Sequence, residues 1–450
     1  MQRLLLNTLF NFEAFRYVAV ILGVICITPI TVYLGTLTNW IFIIWGVVLL
    51  TNNFFRNPNW KAAPGTRILL VFLAINIVTI LVNGLANLKS NIAVLLCNVI
   101  LLFLVYPSSF HDASSKTIRR LNFIIVVMGL VIALPSLAKG LLLMNDEWLG
   151  YWQGLDFGHG RLWGISTNPN GLALLGFAAM VAGLINILDK SAKTRWKVFY
   201  ILSIAVEFAI IALSDARSAK VALIVFILLS CFLIAIPIMR RKGTNKAASI
   251  VIACVLGLVL AGATYTMIGV VQILFGNMVS IVNPGQTMTN EDGNPILGRS
   301  NNDIIAEGNE TSGRVEIWAN GLEIVQANPI LGVGKASIYD EYALVEPDNP
   351  RENLHNGYLQ LLVSNGILGF VVILLFFVRL FVSSLPAIKH AAIETNVKNR
   401  ELALILSMLM AMFVINLVES ELLYSASYFH IVFWSYIGFF TNRATEATAD

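Results

Sequence analysis

The sequence predicts an all-α integral membrane protein, on three observations. The chain is 57% hydrophobic and only 12% charged, where soluble domains run at about 45–50% apolar and about 25% charged. Its mean hydropathy is +0.76. Apolar runs close to the roughly 20 residues a helix needs to cross hydrocarbon recur along the chain, with one long polar interruption between about 276 and 366. Apolar surface on this scale escapes water only in lipid.

Taken in order, the runs at 17–36, 38–55, 67–86, 91–106, 121–141, 170–188, 197–213, 218–238, 248–275, 367–388, 402–418 and 427–441 predict about twelve transmembrane helices. Several are short, so their ends must be buried in protein or lie in the interface. No cleavable signal sequence is expected, because Arg16 follows a weakly amphipathic start and the run behind it is long enough to span. The chain then divides into a membrane domain at 1–275 with spans 1–9, a loop at 276–366, and spans 10–12 with a cytoplasmic tail at 367–450. No internal repeat is evident, which disfavours an inverted-repeat transporter. Cys26, Cys97, Cys231 and Cys254 all fall inside apolar runs and read as small packing residues, not as disulfides or zinc ligands.

The bias of Lys and Arg among the connections sets the orientation. With a cytoplasmic N-terminus, the inner connections hold clusters such as Lys116, Arg119 and Arg120, then Lys190, Lys193, Arg195 and Lys197, then Arg240, Arg241, Lys242 and Lys246. The outer side keeps few basic residues: Lys89, Lys139, Arg161, Arg217, Lys220, Arg299, Arg314, Lys335 and Arg351. The long loop is therefore expected outside.

Two outer connections have content. The first, at 142–169, carries Trp148, Tyr151, Trp152, Phe157 and Trp163, then Arg161 and the turn-forming Asn168-Pro169-Asn170. An aromatic belt at the headgroups explains those rings without function; a surface that stacks on sugar faces is the alternative. In the long loop, 276–310 is rich in Gly, Asn and Pro and is expected to be irregular. A helix should start at Ser312 as its cap, with Val315, Trp318, Leu322 and Val325 on one face, and end at Asn328-Pro329. After Gly332 and Gly334 a second short helix is expected from about His355, with Tyr358, Leu359 and Leu362 on its apolar side, ending at Asn365-Gly366.

Chemistry narrows to three residues, each with a plainer explanation. Arg217 lies in a connection so short that it must sit at the membrane boundary. Pairing with Asp215 or snorkelling accounts for it, and a fixed clamp for phosphate or pyrophosphate is the functional alternative. Arg314, in the first turn of the loop helix, is either an ordinary solvated charge or a second phosphate ligand aided by the helix terminus. His355 is the histidine of the long outer loop, on the same side as both arginines, and is a candidate general base. Glu207, the one acid deep within a span, reads as a paired or hydrogen-bonded packing residue, with a proton relay as the alternative. No G-x-x-x-x-G-K-[ST], H-E-x-x-H, paired-Cys or Asp-x-Asp pattern occurs, so neither ATP in the Walker manner nor a metal is expected.

An Arg between spans 7 and 8, a Gly313-Arg314-x-x-x-Trp318 helix in the loop and a His355-Asn356 helix closing it occur in that order and on one side. The chain in this resembles the O-antigen ligase and Wzy-type polymerase superfamily, most specifically over 160–171, 214–220, 312–334 and 354–369. The resemblance implies a GT-C-like membrane architecture in the bacterial cytoplasmic membrane, with the site facing outward. It implies a glycan on undecaprenyl diphosphate as donor, Arg217 and Arg314 holding the diphosphate, and His355 activating the acceptor hydroxyl. Arg161, Asn170, Lys220 and Tyr358 become candidate substrate contacts. It implies no cofactor, no metal and no nucleic acid, with membrane lipid and other polysaccharide-assembly proteins as candidate partners. The same chemistry serves a polymerase, which joins lipid-linked repeats, and a ligase, which transfers the chain to another acceptor such as lipid A core. General similarity to capsule and exopolysaccharide polymerases favours the first. A polysaccharide flippase is the alternative from another class, and the clustering of distinctive residues at the outer surface, not the midplane, argues against it.

Overall fold

The computed structural model describes residues 9–56, 59–146, 152–156, 160–189, 192–285, 313–391 and 397–449. Helices dominate it. In chain order they are α1 (Phe12–Ile25), α2 (Thr31–Arg56), α3 (Thr66–Asn83), α4 (Leu88–Ile100), α5 (Tyr106–His111), α6 (Ser115–Leu141), α7 (Pro169–Ile187), α8 (Thr194–Ser214), α9 (Arg217–Arg241) and α10 (Lys246–Val282). After the polar loop come α11 (Arg314–Ala327), α12 (Ile338–Val345), α13 (Gly357–Ala391), α14 (Val397–Ile415) and α15 (Tyr428–Ala449). A π-helical turn over Leu101–Val105 joins α4 to α5, so the two run on as one apolar rod. Side chains placed one residue before the first turn cap several starts: Asn11, Ser114, Asn168 and Asn245 each accept an amide of the helix that follows.

Among the described residues, nine helical stretches are long and apolar enough to cross a membrane, fewer than the count of about twelve read from the sequence. The run expected at 17–36 is broken, because α1 ends at Ile25 and α2, which takes in the run at 38–55, already begins at Thr31. The other runs are largely helical, and α1, α14 and α15 fall short for different reasons. α1 has 14 residues. α14 opens on Lys398, Arg400 and Glu401, and α15 carries Asn442, Arg443 and Glu446. α15 is also enclosed by neighbours, packing against α1, α5, α13 and α14. Phe433, Trp434 and Tyr436 are fully buried, the first two in a set of ring contacts that includes Phe376, Phe377 and Phe413. A helix sheathed in protein needs no apolar face toward lipid, so its sequence can be more polar. α10 is the opposite case, exposing Val251, Val255, Leu258 and Val259 as a lipid-facing surface would. It continues to Val282, past the expected end at 275, so the first residues assigned to the irregular loop are helical.

Glu207 is buried among small residues. A Cβ on Gly129 would lie 2.4 Å from its Oε1, and one on Gly176 3.4 Å from Oε2. It packs closely, as expected, but its buried Oε1 has no hydrogen-bond partner among the described residues, which corrects the expectation of a hydrogen-bonded side chain.

The loop helices form a second, smaller core of Ile317, Ile324, Val333, Ile338, Tyr342, Leu354, Leu359 and Val363. The buried face of α11 is Ile317, Gly321 and Ile324, and Val315 and Leu322 are exposed. This corrects the expected face. Trp318 and Val325 do pack at its edge, but Gly321 sets the rotation. A Cβ there would approach Leu359 Cδ2 at 2.9 Å, so this is where α13 comes closest. The cap assigned to Ser312 lies outside the described residues.

The Asn328–Gly334 segment gives α13 its break. Gly366 has φ 61 and ψ −172 in an otherwise helical run, a conformation open to glycine. The amides of Ile367 and Leu368 donate to Pro329 O and Ile330 O, while Val333 N and Gly334 N donate to Val363 O and Ser364 O. The backbone groups freed by the break are thus paired by the loop crossing it, as burial requires. Side chains of α3 hold that loop in turn, Thr79 on Leu331 O and Asn83 on Gly332 O, each at 2.7 Å. The short helix before Gly366 matches the sequence expectation.

Candidate active site

Four separate stretches of chain meet at the end of the helix assembly where α7 and α9 begin. They line a cavity of about 270 Å³ whose walls include Arg161, Asn170, Asp215, Arg217, Arg314, Arg351 and His355.

The first stretch is the connection into α7. Two-residue ladders pair Asn145–Asp146 with Trp152–Gln153 and Leu155–Asp156 with Arg161–Leu162. The second ladder aims Arg161 inward, where its Nε donates to Ser214 O at 2.8 Å and Nη2 to Asn170 Oδ1 at 2.7 Å. Asn168 caps α7 and Pro169 is its first residue, which fixes Asn170 one step inside the helix. Of the aromatic residues expected in this connection, Trp148, Tyr151 and Phe157 lie outside the described residues.

The second stretch is the turn from α8 to α9. Asp215 adopts φ 51, a left-handed conformation that Asp tolerates better than most residues. The reversal leaves Arg217 at the first position of α9, exposed to the cavity. Lys220 pairs with Asp215, to which Gln272 Nε2 also donates at 3.4 Å. Lys220 is not among the residues lining the cavity; it neutralises the carboxylate beside it.

The third stretch is the start of α11, where Gly313 at φ 71 turns the chain into the helix and Arg314 follows. The fourth is 351–357. His355 also has positive φ, 48, held by its amide donating to Asn353 Oδ1 at 2.9 Å. Asn356 then caps α13, its Oδ1 accepting Tyr358 N and Leu359 N, both at 3.0 Å. The His-Asn pair thus divides its labour: Asn356 begins the helix and His355 is thrown out before it. Two non-glycine residues in left-handed conformations at one cavity is the kind of local strain found where side chains must be aimed. Tyr358 points elsewhere. Its hydroxyl donates to Phe413 O at 2.9 Å, tying α13 to α14, and it does not line the cavity.

Two residues escaped the sequence reading. Arg351 lines the cavity, and its buried Nε has no hydrogen-bond partner among the described residues. Glu419 joins the stretches together. Its Oε1 accepts from Arg314 Nη2 at 2.9 Å, Asn170 Nδ2 at 3.1 Å and Ser218 Oγ at 3.4 Å. Its Oε2 faces His355 Nδ1 at 3.4 Å. The chain around it is clasped to the histidine segment, with Gly357 N donating to Asn416 O and Glu419 O, both at 2.8 Å. The signal was present but faint: Glu419 and Glu421 are an acidic pair in the short connection between two apolar runs.

Chemically, convergent arginines suit a diphosphate. An imidazole across the same cavity, backed by a carboxylate, suits proton removal from a hydroxyl. A family model described as O-Antigen ligase (Wzy_C) matches residues 201–374, which takes in Arg217, Arg314 and His355 and stops short of Glu419. No curated relative matches the chain.

Proposed function

We propose that this protein, which carries the O-antigen ligase domain at residues 201–374, is a membrane glycosyltransferase that polymerises a bacterial cell-surface polysaccharide. The donor is a glycan on undecaprenyl diphosphate and the acceptor a sugar hydroxyl of another lipid-linked repeat. One observation carries the reading: Arg161, Arg217, Arg314 and His355, remote in sequence, share one cavity. In this reading all twelve apolar runs span the membrane in a GT-C-like arrangement, with the cavity on the outer face.

Arg217 and Arg314 hold the diphosphate and stabilise the charge that develops on it as the bond from the anomeric carbon to phosphate oxygen breaks. Preorganised guanidinium donors in a partly dehydrated cleft do this without reorganising. His355 takes the proton of the acceptor hydroxyl as that oxygen bonds to the anomeric carbon. The electron pair of the broken bond leaves with the lipid diphosphate, and a single displacement inverts the carbon. Arg161 fixes Asn170, and both border the same space.

The test is purified protein with a lipid-diphosphate-linked oligosaccharide as sole substrate. The proposal expects a ladder of longer lipid-linked products, insensitive to chelators. Reaction only after a distinct acceptor is added assigns the ligase instead, and no transfer with either overturns the glycosyltransferase reading.

A further inference from the structure

We propose that Glu419 couples donor binding to acceptor activation, by exchanging its hold on Arg314 for a hold on His355. The inference rests on the diphosphate reading of the cavity and adds a residue outside the matched domain.

The geometry is divided by oxygen. Oε1 serves the phosphate side, accepting from Arg314, Asn170 and Ser218, and Oε2 serves the base. The side chain is nearly buried, at 9% exposure, so it cannot trade these partners for water. A diphosphate placed on Arg314 competes with Oε1 for the same guanidinium nitrogens. The carboxylate keeps the neutral donors Asn170 and Ser218 on Oε1, and the partner left that can take up positive charge against it is the histidine on Oε2. Its Oε2 is already 3.4 Å from Nδ1, and closure to ordinary hydrogen-bond length needs about 0.5 Å. A carboxylate on Nδ1 fixes the proton there, presents the Nε2 lone pair to the cavity and stabilises the imidazolium formed when the acceptor's proton arrives. The base is thus strongest when the donor is in place.

Other charges surround the imidazole. Arg161, Arg217, Arg314, Arg351, Asp215, Glu316 and Glu346 face the cavity from the elements packed around it, and Glu421 follows Glu419 on its own strand of chain. Burial, then the charge of Glu419, raises Glu421 to about 8.

Glu419 is therefore a positioning residue, and Glu419→Gln separates this role from a structural one. The amide should lower kcat by roughly 100-fold, within the range of general-base contributions. Without the carboxylate the imidazolium is less stable, so the acid limb of the kcat profile should move to lower pH. Binding of farnesyl diphosphate, a soluble polyprenyl diphosphate, should become tighter, because its competitor for Arg314 is gone. Weaker binding together with an unmoved acid limb would overturn the proposal, since a residue that merely builds the site loses both functions at once. If the amide variant fails to accumulate, Glu419→Asp carries the test. It should keep the wild-type acid limb at a lower rate, and an acid limb displaced downward contradicts the proposal. The parent reading fails separately, if His355→Ala retains wild-type transfer; an unchanged rate in Glu419→Gln beside an inactive His355→Ala sinks the coupling alone.

Discussion

Two cavities of similar size lie at opposite ends of α7 and α8. One, of about 270 Å³, is the candidate site. The other, of about 300 Å³, is lined by Arg119, Phe123, Asn186, Asp189, Ala192, Trp196 and Tyr200. Their contents differ in kind. At the second, a single arginine is matched by a single carboxylate, Arg119 to Asp189. Asn186 is satisfied by Arg119 O and the Tyr200 hydroxyl, and Phe123 stacks edge-on with Trp196. Arg119, Asp189, Asn186 and Tyr200 thus find partners within the cluster, which holds three helix ends together. At the first, four arginines converge with Asp215, Glu316 and Glu346 from segments with no local reason to meet, and a further carboxylate, Glu419, is divided between a guanidinium and an imidazole. Volume does not distinguish a site from a crevice; convergence of charge beyond what packing needs does.

The comparison can be broken by substitution. The largest effect should come from His355→Ala and Arg314→Ala, each lowering transfer by about 100-fold or more while the chain remains in the membrane fraction. Full activity in either would make the two cavities equivalent. Next, Arg217→Ala should weaken farnesyl diphosphate binding by about 10–100-fold, the worth of a charge-assisted hydrogen bond, as read by titration of the purified protein. Smaller, and on stability instead of chemistry, is Gly366→Ala. A Cβ there would lie 2.2 Å from Ile330 O in a backbone conformation that L side chains avoid. The thermal midpoint should fall with a loss of about 1–3 kcal/mol, and an unchanged midpoint would mean the break in α13 is not held by the crossing loop. The smallest effect belongs to the second cavity. Arg119→Ala should leave transfer unchanged and cost about 0–1 kcal/mol, as a partly exposed ion pair does.

The same contrast explains what the sequence disclosed. Composition and run length were sufficient for the membrane class, because lipid imposes its demand on every span separately. They do not by themselves mark α15 as different from the other runs, since a helix enclosed by protein is under a different constraint from one facing lipid. Arg217 was legible because a charge beside an apolar run is conspicuous, and Arg314 and His355 because each stands at the expected start of a helix in the one long polar loop. Lys220 and Tyr358 share the same motifs, yet one neutralises Asp215 and the other ties α13 to α14; spacing could not tell aim from proximity. The face of α11 was misread because the pattern of large apolar residues hid Gly321, whose contribution is an absence of side chain. Glu419 was missed for a more general reason. Its partners are 64 to 249 positions away in sequence, and a residue whose role is to join distant segments carries no local pattern.

The most direct test of the account is titration of the purified protein with farnesyl diphosphate, wild type against the Arg217→Ala/Arg314→Ala pair. The account predicts saturable binding that the double substitution reduces by more than either single one. Equal affinity in wild type and double variant would contradict it, and would return the cavity to the status of its counterpart at the other end of α7.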